Sequence, residues 1–383
     1  MTPGSDARAP ADAPVADVLT VPTDLDRRIG RLVDRFGGAA DGVGLDALVV
    51  TDLLNVRYLT GFTGGAATLV VTSEHATLIT DGRYGVLASD VESRDILVEV
   101  TDDDGRAALT GAVGASRRIG LEADDVSWTR LRTFSEDWFA GREVLPTSRL
   151  VEELRFVKDD GELARVRVAA ALADEVLLAT VAMLGERPTE LEVQQHLDAE
   201  MHARGSEQPA FPTIVASGPN SALPHHRPGS RVIEAGDAVL IDFGGTVDAY
   251  RSDISRSYFV GDPFTELEEI YGVVLRSQEA GLEAVGDGVA AADVDRAARG
   301  VIEAAGRGDQ FVHSTGHGVG LFIHEDPWVS WRSDDRLRSR HVITIEPGVY
   351  VPGLGGVRIE DLVIVTEAGC EVLTHVPKDL TVV

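Results

Sequence analysis

Cysteine is almost absent from this chain: Cys370 is the only one among 383 residues. A lone thiol cannot close an internal disulfide, and "TEAGCEVLT" contains no histidine to activate it. Cys370 therefore reads as a buried or half-buried thiol without catalytic role, in a reducing compartment. Positive charge is also scarce, with 35 basic residues against 63 acidic ones and a formal net charge of -28. Such a surface repels phosphate backbones and anionic lipid, which argues against nucleic-acid and membrane partners. No uninterrupted apolar run reads as long enough to span a bilayer, and the N-terminal stretch lacks the apolar core of a signal peptide. A cytoplasmic location is the expectation. Several catalytic signatures are missing too: no G-x-S-x-G nucleophile elbow, no H-E-x-x-H zinc helix, no C-x-x-C, and no phosphate loop or dinucleotide fingerprint after any strand-like run.

What remains is an ordinary globular composition, 44% hydrophobic and 26% charged, on a chain long enough for two domains. Residues 1–24, rich in Ala, Pro and Asp, read as a disordered tail. From 25 to 150, helical and strand-like pieces alternate: "DLDRRIGRLVDRFG", then "DALVVT", "ATLVVTS", "HATLIT", "DILVEV" and "RRIGLEA". That pattern predicts an α/β domain on a mixed sheet. From 151 to 383 the text changes to long helices and strands. "KDDGELARVRVAAALADEVLLATVAML" opens on Asp159 or Asp160 as N-cap, and "TELEVQQHLDAEMHARG" opens on Thr189. Two more helices lie between Thr265 and Gly306. The chain is thus read as α/β (α+β), with helices grouped over a sheet in its second half.

The informative residues are acids in apolar strands. "AVLIDFGG" suits the middle of a buried sheet but carries Asp242, and a buried unpaired carboxylate costs several kcal/mol at least. Asp253 follows in "YRSDISRSYFV". A hairpin centred between Val247 and Asp248 would set the two acids directly opposite each other, with Cβ atoms about 4.5–5.5 Å apart. Glu346 in "ITIEPGVYV" and Glu360 in "GVRIEDLVIV" flank "PGLGG", and a hairpin centred on Gly353 pairs them likewise. Paired carboxylates repel unless a cation lies between them. In "HSTGHGVGLFIHEDP", His317 is flanked by glycines that leave room for its ring, and His324 follows. Four carboxylates and one imidazole match two divalent ions held mainly by oxygen, with charges that cancel. Paired ions of this kind lower the pKa of a water and polarise a carbonyl, so the chemistry indicated is hydrolysis.

Together, "IDFGGTVDAYRSDISR", "STGHGVGL", "HEDP", "TIEPGVY", "GVRIEDL" and the upstream "ASGPNSALPHHRP" resemble the metallopeptidases that include prolidase, aminopeptidase P and methionine aminopeptidase. The N-terminal "NVRYLTGFTGG" and "TDGRY" look like the creatinase/prolidase N-terminal domain. The resemblance implies a pita-bread catalytic domain and two divalent ions per subunit, with Mn(II) expected and Co(II) or Zn(II) as alternatives. It implies Asp242, Asp253, His317, Glu346 and Glu360 as ligands, Asp253 and Glu360 bridging, and Glu346 shuttling a proton to the leaving amine. His225 and His324 correspond to substrate-side histidines, Phe211 to a wall of the proline pocket, and Arg358 to a partner of a ligand carboxylate.

The implied activity is hydrolysis of the bond before proline in small peptides, as Xaa-Pro dipeptidase or aminopeptidase, by a homodimer. Its alternatives are a creatinase-like amidinohydrolase working without metal and a non-catalytic binding module of the same fold. Arg332, Arg336, Arg338 and Arg340 are candidates for a group that grips a substrate carboxylate, and the sequence does not choose among them.

Overall fold

The computed structural model describes residues 15–37, 44–92 and 96–383. The described residues form two compact units, one from Asp24 to Arg155 and the other from Phe156 to Val383 together with residues 15–23. The first fourteen residues of the expected tail lie outside the described residues. From Val15 to Val18 the tail forms a helical turn, and Val18 packs with Ala164, Val168 and Ala169.

The first unit is built on a six-stranded mixed sheet. Its strands are β1 (Ala47–Val50), β2 (Ala67–Thr72), β3 (Ala76–Asp81), β4 (Leu97–Thr101), β5 (Arg118–Glu122) and β6 (Glu143–Thr147), in the order β4-β3-β2-β1-β5-β6. β1–β2 and β2–β3 are antiparallel; β3–β4, β1–β5 and β5–β6 are parallel. The β-branched runs supply Val49, Val70, Ile79 and Ile119 to a core closed by Leu109, Val113, Phe134 and Phe139. β6 was not apparent in the sequence. It is short, half-exposed, contains Pro146 and lies at a sheet edge, where proline is tolerated and apolar alternation is weak.

In the second unit the helix Asp160–Thr180 starts on a capping box, Asp159 accepting from the Glu162 amide while Glu162 accepts from the Asp159 amide. Glu190–Ala203 starts on the same device made by Thr189 and Glu192. By length and composition Asp160–Glu186 is apolar enough to cross a membrane, with a mean hydropathy of 1.8, although Arg165, Arg167, Asp174 and Glu175 interrupt its apolar run. Its apolar residues pack inward instead: Ala173, Val176 and Leu177 are fully buried against Val239, Ile241 and Phe243.

Those last three belong to the strand that raised the question. β7 (Ile214–Ser217), β8 (Ala238–Phe243) and β11 (Ile254–Phe259) form an antiparallel sheet with β8 in the middle. Side chains alternate in direction along a strand. Val239, Ile241 and Phe243 meet the helices, while Leu240 packs with Ile214, Ala216 and Tyr350 on the other side. Asp242 shares that second face.

A second antiparallel sheet runs β13-β12-β14-β17-β18, from β12 (Gly316–Gly318), β13 (Glu325–Val329), β14 (Val342–Ile345), β17 (Asp361–Thr366) and β18 (Gly369–Val372). Ile343, Ile345, Val363 and Val365 pack with Val285, Ala291 and Val294, in and beside the helices Thr265–Ala284 and Ala291–Ala304. Two ribbons, β9–β10 (Thr246–Val247 with Tyr250–Arg251) and β15–β16 (Gly348–Val351 with Gly355–Arg358), complete the unit. Helices thus cover the outer faces of the sheets and leave the inner faces for the polar residues.

Candidate metal centre

Two hairpins set the acids, and their registers differ in how well the sequence anticipated them. Gly348 pairs with Arg358 and Ile345 with Asp361, so the hairpin turns about Gly353, at φ 83°, as expected. Glu346 and Glu360 lie where this hairpin passes from one sheet into the ribbon. The upstream hairpin is shifted: Tyr250 pairs with Val247 and Ser255 with Asp242. Asp253 therefore stands diagonal to Asp242, not opposite it. The turn is centred between Asp248 and Ala249, both at positive φ, 48° and 65°. Glu207 stabilises it by accepting from the Asp248 amide at 2.8 Å and the Ala249 amide at 3.2 Å. A partner change of two residues preserves strand parity, so both acids keep the same face.

His317 sits on β12 between Gly316 and Gly318. A Cβ on Gly316 would lie 1.9 Å from the Thr344 carbonyl oxygen, and one on Gly318 would lie 2.4 Å from that of Asp326. The strands approach too closely there for any side chain. His317 Nδ1 donates to the Gly318 carbonyl at 3.0 Å; since that oxygen can only accept, the proton is on Nδ1 and the Nε2 lone pair is free. Nε2 lies 3.6 Å from Asp253 Oδ2 and 3.3 Å from Glu346 Oε1. Burial and the nearby His324 push the His317 pKa down to about 3, which keeps the ring neutral.

The acids carry the opposite strain. Burial, and then repulsion from Glu360, Asp242 and Glu346, raises the Asp253 pKa far above the carboxylate range. Glu360 is raised by burial and by Glu346 and Asp242. Glu346 is pushed up to about 8, chiefly by burial. Oδ1 of Asp242 and Oδ1 of Asp253 are buried without a hydrogen-bond partner. Ligand atoms of Asp253, His317 and Glu360 lie within 4.8 Å of one another. Unpaired buried oxygens beside a neutral imidazole are the donor set of a divalent cation site, and the residues fit such ions.

Among the described residues, one cationic side chain enters this cluster. Arg358 donates through Nη2 to Asp242, through Nη1 to Tyr350 Oη at 2.9 Å and through Nε to Ser255 Oγ at 2.9 Å. Burial opposes its charge, but Tyr350, Asp242, Glu346 and Glu360 outweigh that and hold the guanidinium charged. Arg358 and Glu360 are two apart and share the inner face, while Val357 and Ile359 face the core.

A cavity of about 460 Å³ opens over the cluster, and Phe211, His225, Asp242, Asp253, His317, His324, Glu346, Arg358 and Glu360 all line it. These nine residues, singled out in the sequence, thus line one cavity. His324 meets the His317 ring edge-on at 4.5 Å. The candidates Arg332, Arg336, Arg338 and Arg340 are not among the lining residues. Arg336 donates to the Gly288 carbonyl, Arg340 bonds Asp160 and the Lys158 carbonyl, and Arg332 lies over Trp331.

Among the lining residues that had been missed are His313, Trp328 and Arg227. His313 donates from Nδ1 to the Ser314 carbonyl and accepts from Tyr350 Oη, each at 2.8 Å. Trp328 stacks on His324 at 6.0 Å and 19°. Arg227 lines the cavity as well. All three fall within or one residue beyond the motifs "HSTGHG", "HEDP" and "PHHRP", and nothing in residue type alone separated them from their neighbours.

The fold and the site define a metal-dependent hydrolase with a creatinase-type N-terminal domain. Residues 164–367 match the model of metallopeptidase family M24, and residues 28–157 match the creatinase/prolidase N-terminal domain. The Xaa-Pro dipeptidase of Pyrococcus furiosus is 36% identical over 341 residues, covering 89% of this chain and 96% of that protein. The solved structure of an Xaa-Pro dipeptidase from Bacillus anthracis superposes with a TM-score of 0.89 at 36% identity, over 94% of this chain and 100% of the other. That of an X-Pro aminopeptidase from Thermotoga maritima gives 0.82 at 36% identity, over 89% and 98%. The chain belongs to metallopeptidase family M24, and its catalytic unit has the pita-bread fold.

Proposed function

We propose that this protein hydrolyses the peptide bond preceding proline in small peptides, using two divalent cations held by Asp242, Asp253, His317, Glu346 and Glu360. The observation that carries the reading is the convergence of four carboxylates and one neutral imidazole on a single cavity, with two buried oxygens left unpaired. Four negative charges match two divalent ions, and a donor set rich in oxygen favours Mn(II) over softer metals. When bound, such ions supply Lewis acidity that activates water and polarises the scissile carbonyl.

The chain's own residues divide the remaining work. Asp253 and Glu360, the most enclosed of the four acids, would be suited to hold both ions. The Glu346 side chain is 16% exposed against 5% for Asp253. It can therefore reach the leaving nitrogen, and we assign it the proton transfer. His225 and His324 are exposed on the cavity wall and can donate to the carbonyl oxygen as negative charge develops there. Arg358 fixes the Asp242 carboxylate, and Phe211, Pro212 and Trp328 give the imino ring an apolar wall. A prolyl nitrogen offers no N–H, and none of these roles requires one. We further propose a cytoplasmic homodimer.

The test is to strip the purified protein, reload it with Mn(II) or Co(II), determine bound metal by elemental analysis, and assay Ala-Pro and a longer Xaa-Pro peptide. Two equivalents of metal and cleavage before proline are expected. A metal-loaded protein that leaves both peptides intact refutes the reading.

A further inference from the structure

A substrate with a free carboxylate next to its proline ring faces an electrostatic problem in this cavity. Two divalent ions would cancel the four acids that line it, but a carboxylate that leaves water there still needs a cationic partner, in a chain whose net charge is -28. An Xaa-Pro dipeptide brings such a carboxylate, whereas a longer peptide has a neutral amide there. Arg227 and Arg358 are the arginines that line the cavity among the described residues. The Arg358 guanidinium is committed to Asp242, Tyr350, Ser255 and the Pro224 carbonyl. Arg227 is exposed and forms no hydrogen bond or ion pair with a described residue.

Its loop is nonetheless held in place. Glu190, fully buried at the start of the helix Glu190–Ala203, accepts from Ser217 N and Oγ at 2.8 Å, from Asn220 Nδ2 at 2.9 Å and from Gly229 N at 3.3 Å. Its other contact is His226 Nε2, at 2.8 Å. The anchors at His226 and Gly229 bracket Arg227, and Pro228 restricts its backbone further. An exposed guanidinium carried on a fixed backbone, without a partner among the described residues and lining the cavity, is arranged for an incoming anion. The planar fork of Arg suits a carboxylate in two-point contact.

Resting on the Xaa-Pro reading above, we propose that Arg227 holds the free C-terminal carboxylate of the substrate and biases this enzyme toward dipeptides. It is a specificity residue, separate from the ligand set and from the groups that touch the scissile bond.

The experiment compares Ala-Pro with Ala-Pro amide on Mn(II)-loaded full-length protein, for wild type, Arg227→Gln and Arg227→Lys. The two substrates differ only in the charge that Arg227 would read. Wild type is expected to prefer the acid by about 10- to 100-fold in kcat/KM, expressed mainly in KM. Arg227→Gln brings the acid-to-amide ratio close to one, and Arg227→Lys restores part of it. A general structural role would lower both substrates together and leave the ratio in place; that outcome overturns the assignment, as does a wild type indifferent to the C-terminal charge. Wild type that cleaves neither substrate removes the Xaa-Pro reading itself, and the assignment with it.

Discussion

Replacing Glu346 by Gln separates what the site costs from what it does. In the folded protein Glu346 titrates at about 8 against an ordinary 4.5, mainly because it is buried. Below pH 4.5 it is protonated in both folded and unfolded chains, so it imposes no penalty. As pH rises from there the unfolded chain releases the proton and the folded one keeps it, and stability falls until pH passes about 8. The loss reaches roughly 3 kcal/mol at pH 7 and roughly 5 kcal/mol above pH 8. Glu346→Gln is nearly isosteric and never ionises, so in chelator it should melt several degrees above wild type at pH 7, with the gap vanishing toward pH 4.5. Saturating Mn(II) should reverse the order, because the wild-type carboxylate then binds the cation. Thermal melts in EDTA and in Mn(II) at several pH values between 4.5 and 8 check both statements. A variant less stable than wild type in chelator, or a gap independent of pH, would refute the account of the strained acid cluster.

Asp253→Asn should lose bound metal by elemental analysis while remaining folded, with Ala-Pro hydrolysis reduced by about three orders of magnitude. Lys158→Met breaks a fully buried pair with Glu325, whose carboxylate also accepts from the Phe322 amide beside His324; urea unfolding should show a loss of about 3–5 kcal/mol, partly recovered in Lys158→Met/Glu325→Gln. Glu190→Ala leaves the donors of the His225–Arg227 loop without their acceptor and should cost on the order of 2–4 kcal/mol in the same assay, with a higher KM for Ala-Pro.

Local signals accounted for much of the architecture. Asp159 with Glu162 and Thr189 with Glu192 marked two helix starts because a capping box depends only on residues three apart. The Gly353 hairpin was legible because "PGLGG" permits the positive φ its turn adopts. The Asp248–Ala249 turn was not. "VDAY" carries no glycine, and its left-handed residues are supported by Glu207, about forty residues away in sequence. The site survived that error because strand parity, unlike exact register, is insensitive to a shift of two.

By itself the sequence determined which acids and which imidazole are unusual, since a carboxylate in an apolar strand or a histidine between glycines is visible from its neighbours. Only the tertiary structure decided which arginine is free to meet a substrate. Arg332, Arg336, Arg338 and Arg340 lie near the motifs in sequence, yet none lines the cavity, whereas Arg227 does and has no hydrogen bond or ion pair with a described residue. Whether a surface charge is committed or available depends on contacts between distant segments, which no local pattern encodes.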